Sequence, residues 1–429
     1  MIKRLGIKGL TYLMLTVLPT VVHAQTAQPM KAIVGGTVVD LETGRLIENA
    51  VILIEGQRIK AMGPASAVQV PVSADVIHAE GKWLLPGMMD MHVHFGLVLP
   101  GTQGMELAHE SVAGLALRME RNAQASLWAG TTTVRLTGER AHAEFPLKAD
   151  IDKGLIVGPR IFSAGDPLIP SGGHGGEFEA NGIDGKDAVI KFVRQQLQAG
   201  ASWIKLMISK GLADSSGDIA ASDMTSEEMR AAVEIAHSHG AKVAAHTGSP
   251  VATLQALEAG VDSFEHGYYL DEKVFREMKK RDKWYVPTIV VSQAGALEFF
   301  AKIGSPPWYL ERAKLVGKAH WHSLQTAIKG GVNIAMGTDQ FPFEPNEGTV
   351  AAVRETELYV EAGMTPLQAL RAAMVNPARM LGAEADLGGL QSGKYADIIA
   401  VTANPLQDIR ALRTIGFVMK GGNVIRNDW

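Results

Sequence analysis

Along residues 31–82 apolar positions recur in short runs, Ala32-Ile-Val-Gly-Gly-Thr-Val-Val-Asp and Ala50-Val-Ile-Leu-Ile-Glu-Gly-Gln-Arg-Ile, broken by glycine, asparagine and proline. That spacing predicts a small antiparallel sheet. The same texture returns in Tyr395-Ala-Asp-Ile-Ile-Ala-Val and Ile415-Gly-Phe-Val-Met-Lys-Gly-Gly-Asn-Val-Ile-Arg, so residues 25–83 and 388–429 are expected to pair into one β-sandwich. Between them, apolar strands of about five residues alternate with longer helical stretches, the pattern of a parallel sheet with crossover helices. Eight candidate strands begin at Leu84, Thr131, Arg160, Trp203, Lys242, Ser263, Trp284 and Asn333. They predict an α/β fold, a (β/α)8 TIM-like barrel over 84–387. An open doubly wound sheet is the rival, but no Gly-x-Gly-x-x-Gly turn follows any of these strands.

The first residues follow a different pattern: basic Lys3, Arg4 and Lys8, an apolar run from Leu10 to Val22, and polar sequence after Ala24. This is the pattern of a secretory signal peptide over 1–24, cut after Val-His-Ala, and it predicts a secreted or periplasmic protein with no membrane association after its removal. A retained membrane anchor is the alternative; the run is short for a span of about 20 residues. The net charge of -4 supplies no field for nucleic acid, which leaves a small molecule as the expected partner. With no cysteine in the chain, disulfides, thiolate ligands and a cysteine nucleophile are excluded.

In a barrel of this kind chemistry sits where strands end, so the polar residues closing apolar strands are the candidates. These are His92, His94, Lys205, His246, His266 and Asp339, the nitrogen and oxygen donors that suit zinc or a similar ion. His92 and His94 are two apart on a strand and face the same way. His237/His239 and His320/His322 share that spacing but lie in helical stretches, where i and i+2 diverge; they are expected to be solvated helix histidines. Lys205, inside Trp-Ile-Lys-Leu-Met-Ile, is a costly buried charge unless something compensates it. A neutral amine can take up carbon dioxide as a carbamate, whose oxygens bridge two cations. The alternative is an outward lysine whose stem snorkels along a helix. Asp339 can be a ligand, a general base, or a helix N-cap.

The segments Leu-Leu-Pro-Gly-Met-Met-Asp-Met-His-Val-His, Ala-Gly-Thr-Thr-Thr-Val-Arg, Ile-Lys-Leu-Met, Ala-Ala-His, Phe-Glu-His-Gly, Met-Gly-Thr-Asp and Asn376-Pro-Ala-Arg-Met-Leu-Gly resemble the amidohydrolase superfamily. The resemblance is to its imidazolonepropionase-related branch, which includes Xaa-Pro dipeptidases and N-acyl-amino-acid hydrolases. It implies that His92, His94 and Asp339 hold one divalent ion and His246 and His266 a second, with carbamylated Lys205 bridging and zinc the expected metal. It also implies hydrolysis by a metal-bound hydroxide, with Asp339 moving the proton, of an amide or peptide bond in a dipeptide or N-acyl amino acid. Cyclic-amide, lactone or other ester hydrolysis is the alternative, and a catalytically inert scaffold a third reading. A homo-oligomer is the expected assembly. His174, in Ser-Gly-Gly-His-Gly-Gly, and Tyr268 are nominated to polarise or grip the substrate. Arg135 could pair with a substrate carboxylate or with an acid of the barrel, and no role is assigned to Lys210 or Tyr269. The chain departs from the family's pattern after Arg135, where Leu136 stands in place of a frequent aspartate.

Overall fold

The strand-patterned N-terminal residues form β1 (Met30–Asp40), β2 (Arg45–Glu55), β3 (Arg58–Pro64), β4 (Asp75–His78) and β5 (Trp83–Pro86). The computed structural model describes residues 30–175 and 182–429, so the expected signal peptide 1–24 lies outside the described residues. The alternating rhythm yields β6 (Met88–Val93), β7 (Thr131–Leu136), β8 (Arg160–Ser163), β9 (Trp203–Met207), β10 (Lys242–Thr247), β11 (Ser263–His266), β12 (Trp284–Val286) and β13 (Asn333–Ile334). A two-strand hairpin, β14 (Pro345–Asn346) and β15 (Thr349–Val350), and then β16 (Ile398–Val401), β17 (Phe417–Lys420) and β18 (Asn423–Asn427) complete the strands.

Strands from the two ends pair in one eight-stranded sheet ordered β18-β17-β16-β5-β1-β2-β3, with β4 beside β1. One apolar cluster gathers Ile52 of β2, Leu84 of β5 and Phe417 and Met419 of β17. The first candidate barrel strand is in fact two. Leu84 and Leu85 belong to β5, which pairs with β1 and β16, and the chain enters the barrel region only at Met88. Gly87 marks the crossing, because a Cβ there would lie 2.1 Å from the Thr132 hydroxyl oxygen.

The eight strands β6 to β13 form two parallel ladders, β6-β7-β8 and β9 to β13. At one seam an isolated parallel bridge joins Leu168 to Leu206. At the other, the Met91 amide donates to the Met336 carbonyl at 2.8 Å and the Asp339 amide to the His92 carbonyl at 2.7 Å. Every residue of β6, β7 and β9 is buried, as parallel strands covered on both faces should be. The covering helices carry one apolar face each; in the helix Glu272–Lys280, Val274, Phe275 and Met278 point inward. Caps start these helices where the sequence offers them, with reciprocal capping boxes at Thr225/Glu228 and Thr365/Gln368. No helix among the described residues is long and apolar enough to cross a membrane.

Strand ends that carry the candidate residues are held at near-contact distance. A Cβ on Gly337 would lie 2.5 Å from Cγ1 of Val286, 2.7 Å from Cβ of His92 and 2.9 Å from the His92 nitrogen. Relief is available only by moving the backbone that presents His92. Gly337→Ala is therefore expected to lower stability by about 1–3 kcal/mol, read as a lower urea midpoint at unchanged slope; an unchanged midpoint would refute the close approach.

Candidate metal centre and active site

The site is assembled from strand ends that leave β geometry. His266, Thr288 and Asp339 adopt φ of 64°, 52° and 51°. Left-handed backbone costs a non-glycine residue roughly 1–2 kcal/mol, so the surrounding contacts must over-determine each of them. Asp90 supplies part of that constraint. Its Oδ1 accepts from the amides of His92 (3.0 Å) and Thr338 (3.1 Å), and its Oδ2 from the Thr338 hydroxyl (2.6 Å). The carboxylate thus locks the end of β6 to the segment that delivers Asp339.

His92 and His94 converge on Asp339: each Nε2 lies 3.3 Å from its Oδ1, and the two Nε2 atoms are 3.3 Å apart. The other ring nitrogens are already engaged. Nδ1 of His92 donates to Glu265 Oε2 at 2.8 Å, and Nδ1 of His94 donates to the Gly138 carbonyl at 2.6 Å. Such partners fix the tautomer and leave Nε2 free to ligate. This trio fits a cation, since its ligand atoms lie within 4.8 Å of one another. His266 is adjacent, its ring centroid 4.7 Å from that of His92 and its Nδ1 2.7 Å from the Thr288 hydroxyl. The His246 ring lies tilted against that of His266, centroids 4.5 Å apart, with its Nε2 turned to the Lys210 carbonyl at 3.3 Å; a bond to a second ion would fall to Nδ1.

Lys205 is fully buried rather than snorkelling, with Nζ 3.5 Å from Nε2 of His92. Burial pushes its amine down to about 8, against the opposing pull of Glu265 and Asp339. Burial likewise holds His246 and His266 well below the ordinary histidine range, in the neutral form that ligates. Asp339 moves the other way: burial disfavours its charge, but His92, His94 and His266 hold the carboxyl well below its ordinary value. No helix begins at Asp339, which removes the N-cap reading.

Beneath the histidines, Arg135 meets an acid of the barrel. Its Nη2 lies 2.9 Å from both oxygens of Glu265, Nε donates to the Met91 carbonyl, and Nη1 donates to the Ser263 hydroxyl. Both side chains are completely buried. Glu265, Asp90 and Glu139 are the functional neighbours that sequence reasoning missed. Glu265 directly precedes His266, and strand alternation would send the two side chains to opposite faces; the left-handed turn at His266 undoes that rule.

A cavity of about 170 Å3 opens over the trio, lined by His94, Asp339, Glu139, Arg140, His174 and Tyr268 among others. Both loop residues thus line the cavity beside His94 and Asp339. His174 is held by Asp214 at 2.8 Å and stacks on His246 at 4.2 Å, and Tyr268 stacks on His266 at 5.3 Å. Tyr269 is exposed, and Lys210 turns its amine to the Gly172 carbonyl. Of the other two histidine pairs, His237, His239 and His322 are exposed as expected, but His320 is not solvated. Its helix, Pro307–Gly330, packs that face against the strand ends, and its Nε2 lies 2.9 Å from the carbonyls of His266 and Pro287.

Glu265 owes its ionisation to its partners: burial raises its carboxyl, but Arg135, then His92 and Lys205, pull it to about 2 from an ordinary 4.5. A depressed carboxyl contributes its full stabilisation above the ordinary value and loses it as pH falls toward about 2. Glu265→Gln leaves the Arg135 charge uncompensated, which is expected to cost about 3–5 kcal/mol. Urea unfolding at a series of pH values should show wild-type stability falling below about pH 4.5, with a shallower fall in Glu265→Gln. Parallel pH profiles would contradict the pairing.

Comparison with known proteins places this arrangement. The model of the amidohydrolase family matches residues 83–426. Ochratoxinase of Aspergillus niger is 32% identical over 378 residues, covering 80% of this chain and 75% of that protein. The crystal structure of A. niger ochratoxinase has a TM-score of 0.81 at 29% identity, covering 94% of this chain and 96% of that one. A Xaa-Pro dipeptidase with methionine bound in its active site has a TM-score of 0.82 at 30% identity, covering 93% of this chain and 100% of that one. Imidazolonepropionase of Geobacillus thermodenitrificans (strain NG80-2) is 24% identical over 432 residues, 90% of this chain and 92% of that protein. The fold is accordingly an α/β TIM barrel, and the chain belongs to the amidohydrolase family as a hydrolase acting on C–N bonds.

Proposed function

We propose that the chain hydrolyses an amide or peptide bond in a small substrate, a dipeptide or an N-acyl amino acid, at a centre for two divalent ions, zinc by preference. The observation that carries this reading is the convergence of His92, His94 and Asp339, with both Nε2 atoms turned to the carboxylate, beside the buried amine of Lys205. His92, His94 and Asp339 would hold one ion, His246 and His266 the second, and Lys205, as a carbamate, would bridge them. The carbamate suits its position, because it replaces a buried cation, already pushed down to about 8 by burial, with an anion between cations. Bound there, the ions would supply Lewis acidity toward a carbonyl and toward water.

The chain's own residues do the rest. Asp339, kept ionised among the histidines, accepts the proton of the attacking water and returns it to the departing nitrogen. Tyr268 and His174 reach the same cavity from two loops and offer hydrogen bonds to the carbonyl oxygen or to a substrate carboxylate. Asp214 holds the His174 ring in orientation. The apolar wall at Leu97, Leu99, Ile169, Leu212 and Val291 excludes water from the reacting bond.

Two further readings belong to this proposal. The end sheet is a two-layer sandwich, supported by the single cluster that joins β2 to β17 across the sheet order. The protein acts outside the cytoplasm, supported by the basic and then apolar residues 1–24.

Zinc-reconstituted protein is expected to carry about two ions per chain and to turn over members of a panel of dipeptides and N-acyl amino acids. Lys205→Ala should retain at most one ion and lose more than the roughly 10–100-fold typical of supporting groups around a metal. Full activity in that variant, or hydrolysis confined to lactones and esters, would overturn the reading.

A further inference from the structure

One cation in the cavity wall has no counter-charge among the described residues. Arg140 lies just beyond β7, half-buried, and lines the same cavity as His94 and Asp339. Its guanidinium is held in place: Nη1 donates to the Ala108 carbonyl at 3.2 Å and Nη2 to the Leu107 carbonyl at 3.1 Å, at the C-terminal end of the helix Thr102–Ala108. Those bonds use two of the five donors that a guanidinium offers. Nε is buried and has no acceptor among the described residues, where the guanidinium's hydrogen bonds go to backbone carbonyls and not to a carboxylate. The neighbouring acid does not serve. Glu139 accepts instead from the amides of Phe95 at 2.6 Å and Gly96 at 2.9 Å.

A positioned guanidinium, uncompensated among the described residues and set beside the apolar Leu97, Leu99, Leu212 and Val291, is a receptor for an anion attached to an apolar body. We propose that Arg140 takes the substrate's free carboxylate, so that the cavity selects N-acyl amino acids and dipeptides with an apolar side chain over neutral amides. This rests on the amide-hydrolase reading above and adds to it the group that reads the substrate's charge. The planar fork suits a carboxylate better than a point charge would, and the two bonds to the helix end mean that little ordering remains to be paid on binding.

The test is calorimetric titration of the zinc-loaded full-length protein with L-leucine and with 3-methylbutylamine, the same molecule without its carboxylate. Wild type is expected to bind L-leucine roughly 10- to 100-fold more tightly, the range for a hydrogen bond to a charged group. Arg140→Gln should abolish that preference, and Arg140→Lys should keep part of it, with zinc content and melting temperature near wild type in both. Equal affinity of wild type for the two probes, or no detectable binding of L-leucine, overturns the proposal. So does a preference that survives in Arg140→Gln, which would place the carboxylate on the metal, or an equal loss for both probes, which would make Arg140 structural. The titration needs no turnover, so failure of the amide-hydrolase reading would show separately, as an inert substrate panel.

Discussion

The ion pair between Arg135 and Glu265 is the constraint on which the centre depends. Two full charges are withdrawn from water inside the barrel, a cost of several kcal/mol per ion before any attraction is counted. The pair is tolerable because nearly every donor and acceptor in it is used: Arg135 reaches the Met91 carbonyl and the Ser263 hydroxyl, and its guanidinium lies 4.4 Å from the centre of the Trp203 ring. Oε2 of Glu265, shared with Arg135, also holds Nδ1 of His92. Strands β6, β7, β9 and β11 are thereby tied through side chains as well as through their ladders. The orientation of the first candidate ligand is a by-product of neutralising a buried arginine.

Above that pair, backbone strain and side-chain clamps act in opposite senses. The left-handed conformations at His266, Thr288 and Asp339 would relax if the strand ends were free. They are not free: Thr288 holds Nδ1 of His266, and Asp90 binds the amide and hydroxyl of Thr338. The rings of His92, His94 and His266 are consequently held at Nδ1 by protein contacts, which is the condition for a site that does not reorganise during reaction. His320 extends the same logic outward, closing the carbonyls of His266 and Pro287 from the helix side.

Much of this was legible in the chain, because burial on both faces leaves a parallel strand apolar and makes each polar residue at its end conspicuous. His92, His94, Lys205, His246, His266 and Asp339 announced themselves that way; the ligand atoms of His92, His94 and Asp339 converge, Lys205 and His266 lie against His92, and His246 lies beside His266. What escaped had a physical reason in each case. Glu265 was masked by the alternation rule that His266 breaks, and Asp90 by its place between two methionines, as an apparently ordinary strand acid. His320 was misjudged because a helix pattern shows which face is apolar but not that a histidine on it covers two carbonyls. The split of the first strand at Gly87 could not be seen, since Leu84-Leu-Pro-Gly-Met-Met reads as one apolar run until its partners are known.

That split links the order of synthesis to the order of assembly. β5 runs directly into the strand that bears His92 and leads to His94, yet one of its two neighbours is β16, more than 300 residues later in the chain. A nascent chain thus makes its first pair of histidines early and secures the strand leading to them almost last. Pairings of such long sequence separation fold slowly, and they leave an open sheet edge until the final segment arrives. For this protein β16 acts as a latch on the beginning of the barrel, and the strand that leads to His92 stays unlatched until β16 pairs with β5.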